Sequence, residues 1–315
     1  IQTISLISVI TYFVMSHEPN AAAAQAAIVN VPGSLFNGMS YYDVGVDVLD
    51  NLSRAQADHA SYRGSWHYYV NTSGYNRFDG STHQWPCLAF ITGEERWGIV
   101  APNVIKENAY YTFLRLQHDS NNSNDGAVGY AHSSHWLNTS KTGGILVGAA
   151  WLGIGPGLSD DAHENSVDRA LGYLGRVYHN AVSTGDHNGP FGMFYSAYGF
   201  KKGMALQGLE TISTPNGVRD WYKDQSSWIL GDVNLWAEDS YALNASIGGG
   251  SSRSQGNMFG QYADGRWNAN GWNYGTGQMT SHAILILTQA VTIPLPVAII
   301  ATIGDAGEVK ANEGF

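Results

Sequence analysis

The densest acidic chemistry in this 315-residue chain lies in Asp160-Asp161-Ala162-His163-Glu164. The string fits an Asp-Asp-x-x-Glu spacing, and its hard carboxylate oxygens suit magnesium. A magnesium site of this kind needs a second acidic cluster on a facing helix, and none stands out. The competing reading is a helix start. Ser159 or Asp160 would cap it, with acidic residues in the first turn complementing the helix dipole. Asp160, Asp161 and Glu164 are therefore the catalytic candidates and magnesium the alternative to no cofactor. No other residue is assigned a catalytic or metal-binding role. The neighbouring acid and histidine pairs Asp58-His59, His118-Asp119 and Asp186-His187 fall at helix ends or in loops, where capping and solvated roles are favoured. General acid–base work needs a spatial constellation, which a dipeptide does not supply.

The aromatic residues offer a second kind of chemistry. Trp66, Tyr68, Tyr69, Trp85, Tyr130, Trp136, Trp267, Trp272 and Tyr274 gather near loop signals. They read either as a stacking platform for a sugar or a hydrophobic chain, or as packing between repeats, with packing favoured. Trp66, Trp85 and Trp267 are the ligand-binding candidates. The single cysteine, Cys87, excludes an internal disulfide and a thiolate cluster and reads as a small buried apolar residue. His282, beside the apolar stripe of the last helix, reads as a hydrogen-bonded interior histidine. No nucleotide loop is present, since Gly248-Gly249-Gly250 runs into Ser251 without the Lys-Ser or Lys-Thr pair.

Three zones must position these residues. Residues 1–38 form an arm: a β-prone apolar stretch, an Ala-rich piece from Ala21 to Ala27, and a turn at Pro32-Gly33. Residues 39–290 carry helical periodicity broken by Gly, Asn and Ser loops. Residues 291–315 form a second extended arm, β-branched and apolar with Pro294 and Pro296. The middle zone repeats with a period of roughly 60 residues, each unit being a helix, a loop with Gly and an aromatic, and a return helix. A lone hairpin cannot cover its own apolar stripe, so neighbouring hairpins must stack. The fourth unit is read as starting at Val218 and as interrupted by a Gly/Ser/Asn insertion over roughly 230–260.

Charge narrows the partners. Net charge is −10 with no run of Lys or Arg, which argues against nucleic acid and against an anionic-membrane patch. Only 13% of residues are charged, 43% are hydrophobic and Gly numbers 38, a profile common in secreted and surface-assembled proteins. The opening Ile1 to Met15 is too short and too hydroxyl-spotted for a membrane helix and lacks a basic flank. Membrane contact is expected only transiently or through a residual signal core. Asn-x-Ser/Thr sequons at Asn51, Asn71, Asn121, Asn138 and Asn244 matter only in a glycosylating route.

The turns at Gln117 with Asp125, Gly126 and Tyr130, and at Gln225 with Asp264, Gly265 and Trp267, carry a resemblance, as does the weaker turn at Gln56, Gly64 and Trp66. So does the Tyr-rich segment Phe194-Tyr195-Ser196-Ala197-Tyr198. Together they resemble the prenyltransferase and squalene-oxidase repeat proteins, a bacterial branch of the terpenoid-cyclase and protein-prenyltransferase toroids. The resemblance implies an all-α fold: an α/α toroid of about four helical-hairpin repeats, flanked by extended β-prone N- and C-terminal arms. The family's catalytic features do not carry over. The Asp-x-Asp-Asp acid of the cyclases is absent, Cys87 has no zinc-ligand pattern around it, and it is followed by Leu88 rather than by the thioester sequence. The Asp-Asp-x-x-Glu string does resemble the diphosphate-binding motifs of isoprenoid synthases.

The favoured expectation is a non-catalytic, secreted or cell-surface structural protein that self-assembles into a homo-oligomer or polymer through its arms. Ile4, Leu6, Ile7, Val9 and Ile10 at one end and Val297, Ile299 and Ile300 at the other are the assembly residues. An unpaired apolar strand seeks a partner chain, and strand donation gives open polymers when the rotation does not close. The alternatives are a terpenoid-cyclase or isoprenoid-type enzyme using the magnesium string, and a glycan-binding or glycan-cleaving toroid using the tryptophans.

Overall fold

The computed structural model describes Met15 and residues 18–58, 61–68, 78–158, 166–179, 189–191, 194–230 and 276–288. Among these the chain is mainly helical, as expected, with a single two-stranded sheet. The helices are α1 (Ala21–Ala26), α2 (Tyr41–Arg54), α3 (Gln84–Thr92), α4 (Asn103–Leu116), α5 (Thr139–Trp151), α6 (Ser166–Arg176), α7 (Phe194–Leu206), α8 (Trp221–Leu230) and α9 (Thr276–Leu287). Their starts follow local polar chemistry. The side chains of Asn20, Ser40 and Asn138 accept from Ala23, Asp43 and Lys141 N–H, satisfying donors that a helix N-terminus leaves open. Helix α3 widens into a π-turn over Gly93–Trp97 and stops at Gly98, whose φ is 67°.

The helices divide by burial. Every residue of α5 is buried, and so is every residue of α7 except Tyr195. Helices α3, α5, α7 and α9 touch one another in that order. Helices α2 and α6 are amphipathic instead: α6 buries Val167, Ala170 and Leu174 along one stripe, and α2 buries Leu49 and Leu52. Helices α4 and α6 both lie against α5. The α5–α7 contact is a backbone contact. A Cβ on Gly143 would lie 2.1 Å from the Gly199 carbonyl oxygen, and one on Gly203 would lie 2.6 Å from that of Gly143. Glycine inside a helix costs about 0.5–1 kcal/mol relative to alanine, and here it is what lets two helices approach so closely.

Two of the turns are built alike. In the first, Ala57 N–H donates to Ser65 O and Gly64 N–H to Ala57 O. In the second, His118 N–H donates to Ala127 O and Gly126 N–H to His118 O. Gly64 and Gly126 have φ of 89° and 83°, and a Cβ on either would strike the backbone of the next helix but one, α4 at Asn108 O and α6 at Arg169 O, within 1.9 and 2.0 Å. Gln56 and Gln117 each donate from Nε2 to a carbonyl 49 residues further on, Ile105 O at 2.9 Å and Ser166 O at 2.8 Å. The glutamine thus ties each turn to the next helix but one, α4 in the first case and α6 in the second. Gln225 does related work from α8, donating to Pro190 O and Ala197 O.

Two features depart from the expected layout. Thr211–Thr214 and Gly217–Asp220 pair as an antiparallel hairpin, with Thr214 opposite Gly217 and Thr211 opposite Asp220, so Val218 sits in a strand and the helix after it starts at Trp221. The N-terminal segment also reaches its own body. Met15 is fully buried, with its side chain near the Cβ positions of Gly45 and Gly93, and Trp97 Nε1 donates to Glu18 O at 3.1 Å. The assembly candidates Ile4, Leu6, Ile7, Val9, Ile10, Val297, Ile299 and Ile300 lie outside the described residues, as does the 230–260 insertion beyond Leu230.

Candidate functional site

The interior of the helical row holds one chemically distinct cluster, drawn from α3, α7 and α9. Lys202, on α7, is 1% exposed. Its ammonium sits 4.0 Å from the centre of the Trp85 ring on α3 and 5.3 Å from that of Tyr198. Trp85 and Tyr198 stack at 6.1 Å, and Tyr198 stacks in turn on His282 of α9 at 5.5 Å. Aromatic faces stabilise a cation that has lost its water. They do so incompletely here, since burial pulls the Lys202 amine down to about 7. Burial, and then the charge of Lys202, lowers His282 to about 4. Its Nδ1 is buried without a hydrogen-bond partner.

Cys87 belongs to the same neighbourhood. Burial pushes its thiol up to about 12 against the pull of Lys202, and Sγ–H donates to His83 O at 3.5 Å. The thiol therefore stays protonated in this setting. Lys201, next to Lys202, does something different. It donates to Leu285 O and Thr288 O and so closes the C-terminal end of α9, where a cation also complements the dipole.

Two more buried polar groups sit where α3 and α5 begin. Asp79 accepts from the N–H groups of Ser81 and Thr82 and from the Ser81 hydroxyl, all through Oδ1. Burial brings Lys141 down to about 7, with the charge of Asp79 working in the other direction. His83 is fully buried between Ala109 O, 2.8 Å from Nε2, and Trp66 N–H, which donates to Nδ1 at 3.4 Å. Those partners assign the tautomer: the proton is on Nε2 and the ring is neutral. Burial keeps it so, lowering its pKa to about 4 despite the Ala109 contact. His83 is a tie between a turn and two helices.

The residues singled out in the sequence are placed as follows. Trp66 is fully buried, donates from Nε1 to Leu52 O at 2.8 Å and faces His83 and Phe90. It packs in the interior, the reading favoured for these aromatics, and the alternative place on an open groove does not hold for Trp66, because no face of the ring meets solvent. Trp85 is partly buried in the Lys202 cluster, and Trp267 lies outside the described residues, as do Asp160, Asp161 and Glu164. Asp119 pairs with Arg169 at 2.9 Å, and Arg169 also holds Asp125 at 2.6 Å. Partial burial works against ionisation of Asp125, but the Arg169 hydrogen bond and the Ser120 N–H hold its carboxyl below the usual range. His118 serves its turn through its backbone, while His59, Asp186 and His187 fall outside the described residues. Asn138, one of the sequons, is a buried helix cap.

Lys202, Lys141 and His83 were not singled out from sequence. A signal existed for the first: Lys201-Lys202 interrupts an otherwise apolar helix. Among the described residues no group of three or more His, Cys, Asp or Glu could hold a metal ion, and no helix is long and apolar enough to cross a membrane. The chain matches no protein-family model, no curated protein and no solved structure.

Proposed function

We propose that this chain is a self-assembling structural protein of a cell surface or extracellular layer, with a catalytically silent α/α toroid of about four hairpins as its body. The serial contact of α3, α5, α7 and α9, flanked by amphipathic helices, and the two like-built turns support that body. Two interior groups support its silence: the Lys202 amine is sealed under Trp85, and the thiol beside it is held protonated.

The observation that carries assembly is on the surface. Residues 27–41 leave α1 and return to α2 as an antiparallel excursion, pinned by Val29 N–H to Met39 O and Tyr41 N–H to Ala27 O at 2.9 Å each. This excursion presents Leu35 at 95% exposure, with Val31 and Ile28 also more than half exposed. Three large apolar side chains held out on one pinned loop form a surface that gains by being covered. A second copy of the chain covers it in this reading, joined by the apolar arms at either end.

Sedimentation velocity across a hundredfold range of concentration tests the proposal on the full chain, on Leu35→Asp and on a chain lacking residues 1–14, which keeps the buried Met15. The full chain should grow in size with concentration, and Leu35→Asp should shift toward monomer with its circular dichroism unchanged. A full-length chain that stays monomeric throughout would overturn it.

A further inference from the structure

The loop over 130–138, between the Gly126 turn and α5, is the most carefully held surface feature of the described chain. Tyr130 N–H donates to His135 O at 2.6 Å, His135 N–H to His132 O at 3.0 Å, and Gly80 N–H to Tyr130 O at 2.8 Å. Its base is closed by an antiparallel bridge between Val128 and Asn138. Gly129 lets it fold down, since a Cβ there would sit 1.9 Å from His132 O. On this frame His132 stacks on His135 at 5.1 Å, His135 stacks on Trp136 at 4.4 Å, and Tyr130 lies 5.5 Å from Trp136.

Trp136 is the anomaly. Its φ is 47°, the one positive value at a non-glycine residue among those described, and it is 65% exposed. A turn that needed only this backbone would be served by Asn or Gly, and a bulky ring in the left-handed region is a strained choice. Folding gains little from an indole left in water. The strain and the exposure therefore serve something that arrives from solvent.

The chemistry of the ladder selects the visitor. His135 backs the indole and the Tyr130 ring lies 5.5 Å from it, so the surface on offer is a flat apolar ring with an imidazole and a phenol beside it. Residues 130–138 contain no Lys or Arg, and the chain carries a net charge of −10, which disfavours a polyanion. His132, His135 and Trp136 stack in turn and Tyr130 packs edge-on against His135 at 5.8 Å, so the rings fill the space among themselves, which disfavours a cation cage. What matches is a neutral pyranose, whose C–H face packs on an aromatic ring while its hydroxyls find polar atoms at the edge. We infer that the His132–His135–Trp136 ladder is a binding site for neutral polysaccharide, a site independent of the proposed assembly surface.

The test is retention of the full chain on insoluble cellulose and on chitin, with heparin-agarose as the polyanion control. Trp136→Asn is the main variant, because Asn accepts the same backbone conformation and removes the ring; His135→Ala removes the backing. Retention on cellulose or chitin is expected, with Trp136→Asn weakening it at least tenfold and leaving the unfolding temperature unchanged or higher. Retention on neither solid, retention on heparin alone, or full binding by Trp136→Asn would each overturn the inference.

Discussion

Gln117→Leu is the sharpest test of how the turns hold the fold. The side chain is 5% exposed and donates from Nε2 to Gly126 O at 3.2 Å and to Ser166 O at 2.8 Å. Leucine fills nearly the same volume, so little of the change comes from a cavity. What changes is that two buried carbonyls lose a donor. Ser166 O still accepts within α6, so its second bond is worth about 1 kcal/mol, while Gly126 O loses its side-chain donor at about 1–3 kcal/mol. The extra apolar burial returns about 1 kcal/mol. The expected net loss is about 1–3 kcal/mol, a shift of roughly 1 M in the urea midpoint with an unchanged slope.

Gln56→Leu is the internal control. Its residue is nearly as buried but makes one such bond, at 2.9 Å to Ile105 O. It should cost about half as much, on the order of 1 kcal/mol. Urea titrations followed by circular dichroism and by tryptophan fluorescence should give coincident transitions for all three chains. The reasoning fails if Gln117→Leu lies within about 0.5 kcal/mol of the parent, the usual scatter of a surface substitution, or if Gln56→Leu is the more damaging of the two.

Two further predictions concern the buried cluster. His282 titrates near 4 in the native state and near 6.5 when unfolded, so between those values the unfolded chain takes up a proton that the native chain refuses. Stability is thus complete above about 6.5 and falls as the pH drops toward 4, by roughly 3 kcal/mol for this one group. His282→Gln should flatten the fall of unfolding temperature between pH 6.5 and 4, where His83 works in the same direction and Glu95, raised to about 7 by burial, in the opposite one; a slope equal to the parent's would refute it. Lys202 titrates near 7 when folded against 10.5, so the native state bears its full penalty at pH 7 and below, and sheds it as the pH rises toward 10. Lys202→Met should therefore stabilise the chain at pH 6 and lose that advantage by pH 10, as read by chemical denaturation at the two values. A variant less stable than the parent at pH 6 would show that the aromatic faces outweigh the desolvation.

What was legible in the sequence follows the range of the forces involved. The stripe of α6 and the Gln117 turn could be read because period and turn chemistry are local. The burial of Cys87 followed from its residue type. The hairpin over 211–220 had its own signals, a β-branched run and Pro215-Asn216-Gly217, but it fell inside a zone read by its helical period, which hides a four-residue strand. The Ala-rich piece after Asn20 was read as part of an extended arm, although the asparagine cap and alanine propensity favour the helix observed there. The placing of Trp66, Lys202 and His83 was not legible, because each is decided by helices distant in the chain. Trp136 drew notice only as one aromatic among nine, since no propensity scale marks a strained φ.

The glycine contact between α5 and α7 leaves no room between these two helices. Gly143, Gly199 and Gly203 let the carbonyls of one helix fill the space beside the other. On the neighbouring side of α5, Gly148 admits the Phe113 ring to within 2.4 Å of where a Cβ would be. A substrate between α5 and α7 would have to displace backbone, which close packing does not allow cheaply. The same packing makes a rigid body, and a rigid body is what an exposed loop needs if it is to present a fixed surface. Both surface features argued above, the excursion bearing Leu35 and the ladder ending in Trp136, sit on such loops and are pinned at their bases by backbone hydrogen bonds. Each loop holds its apolar side chains in water on a fixed base, and covering them is what the two proposals above require.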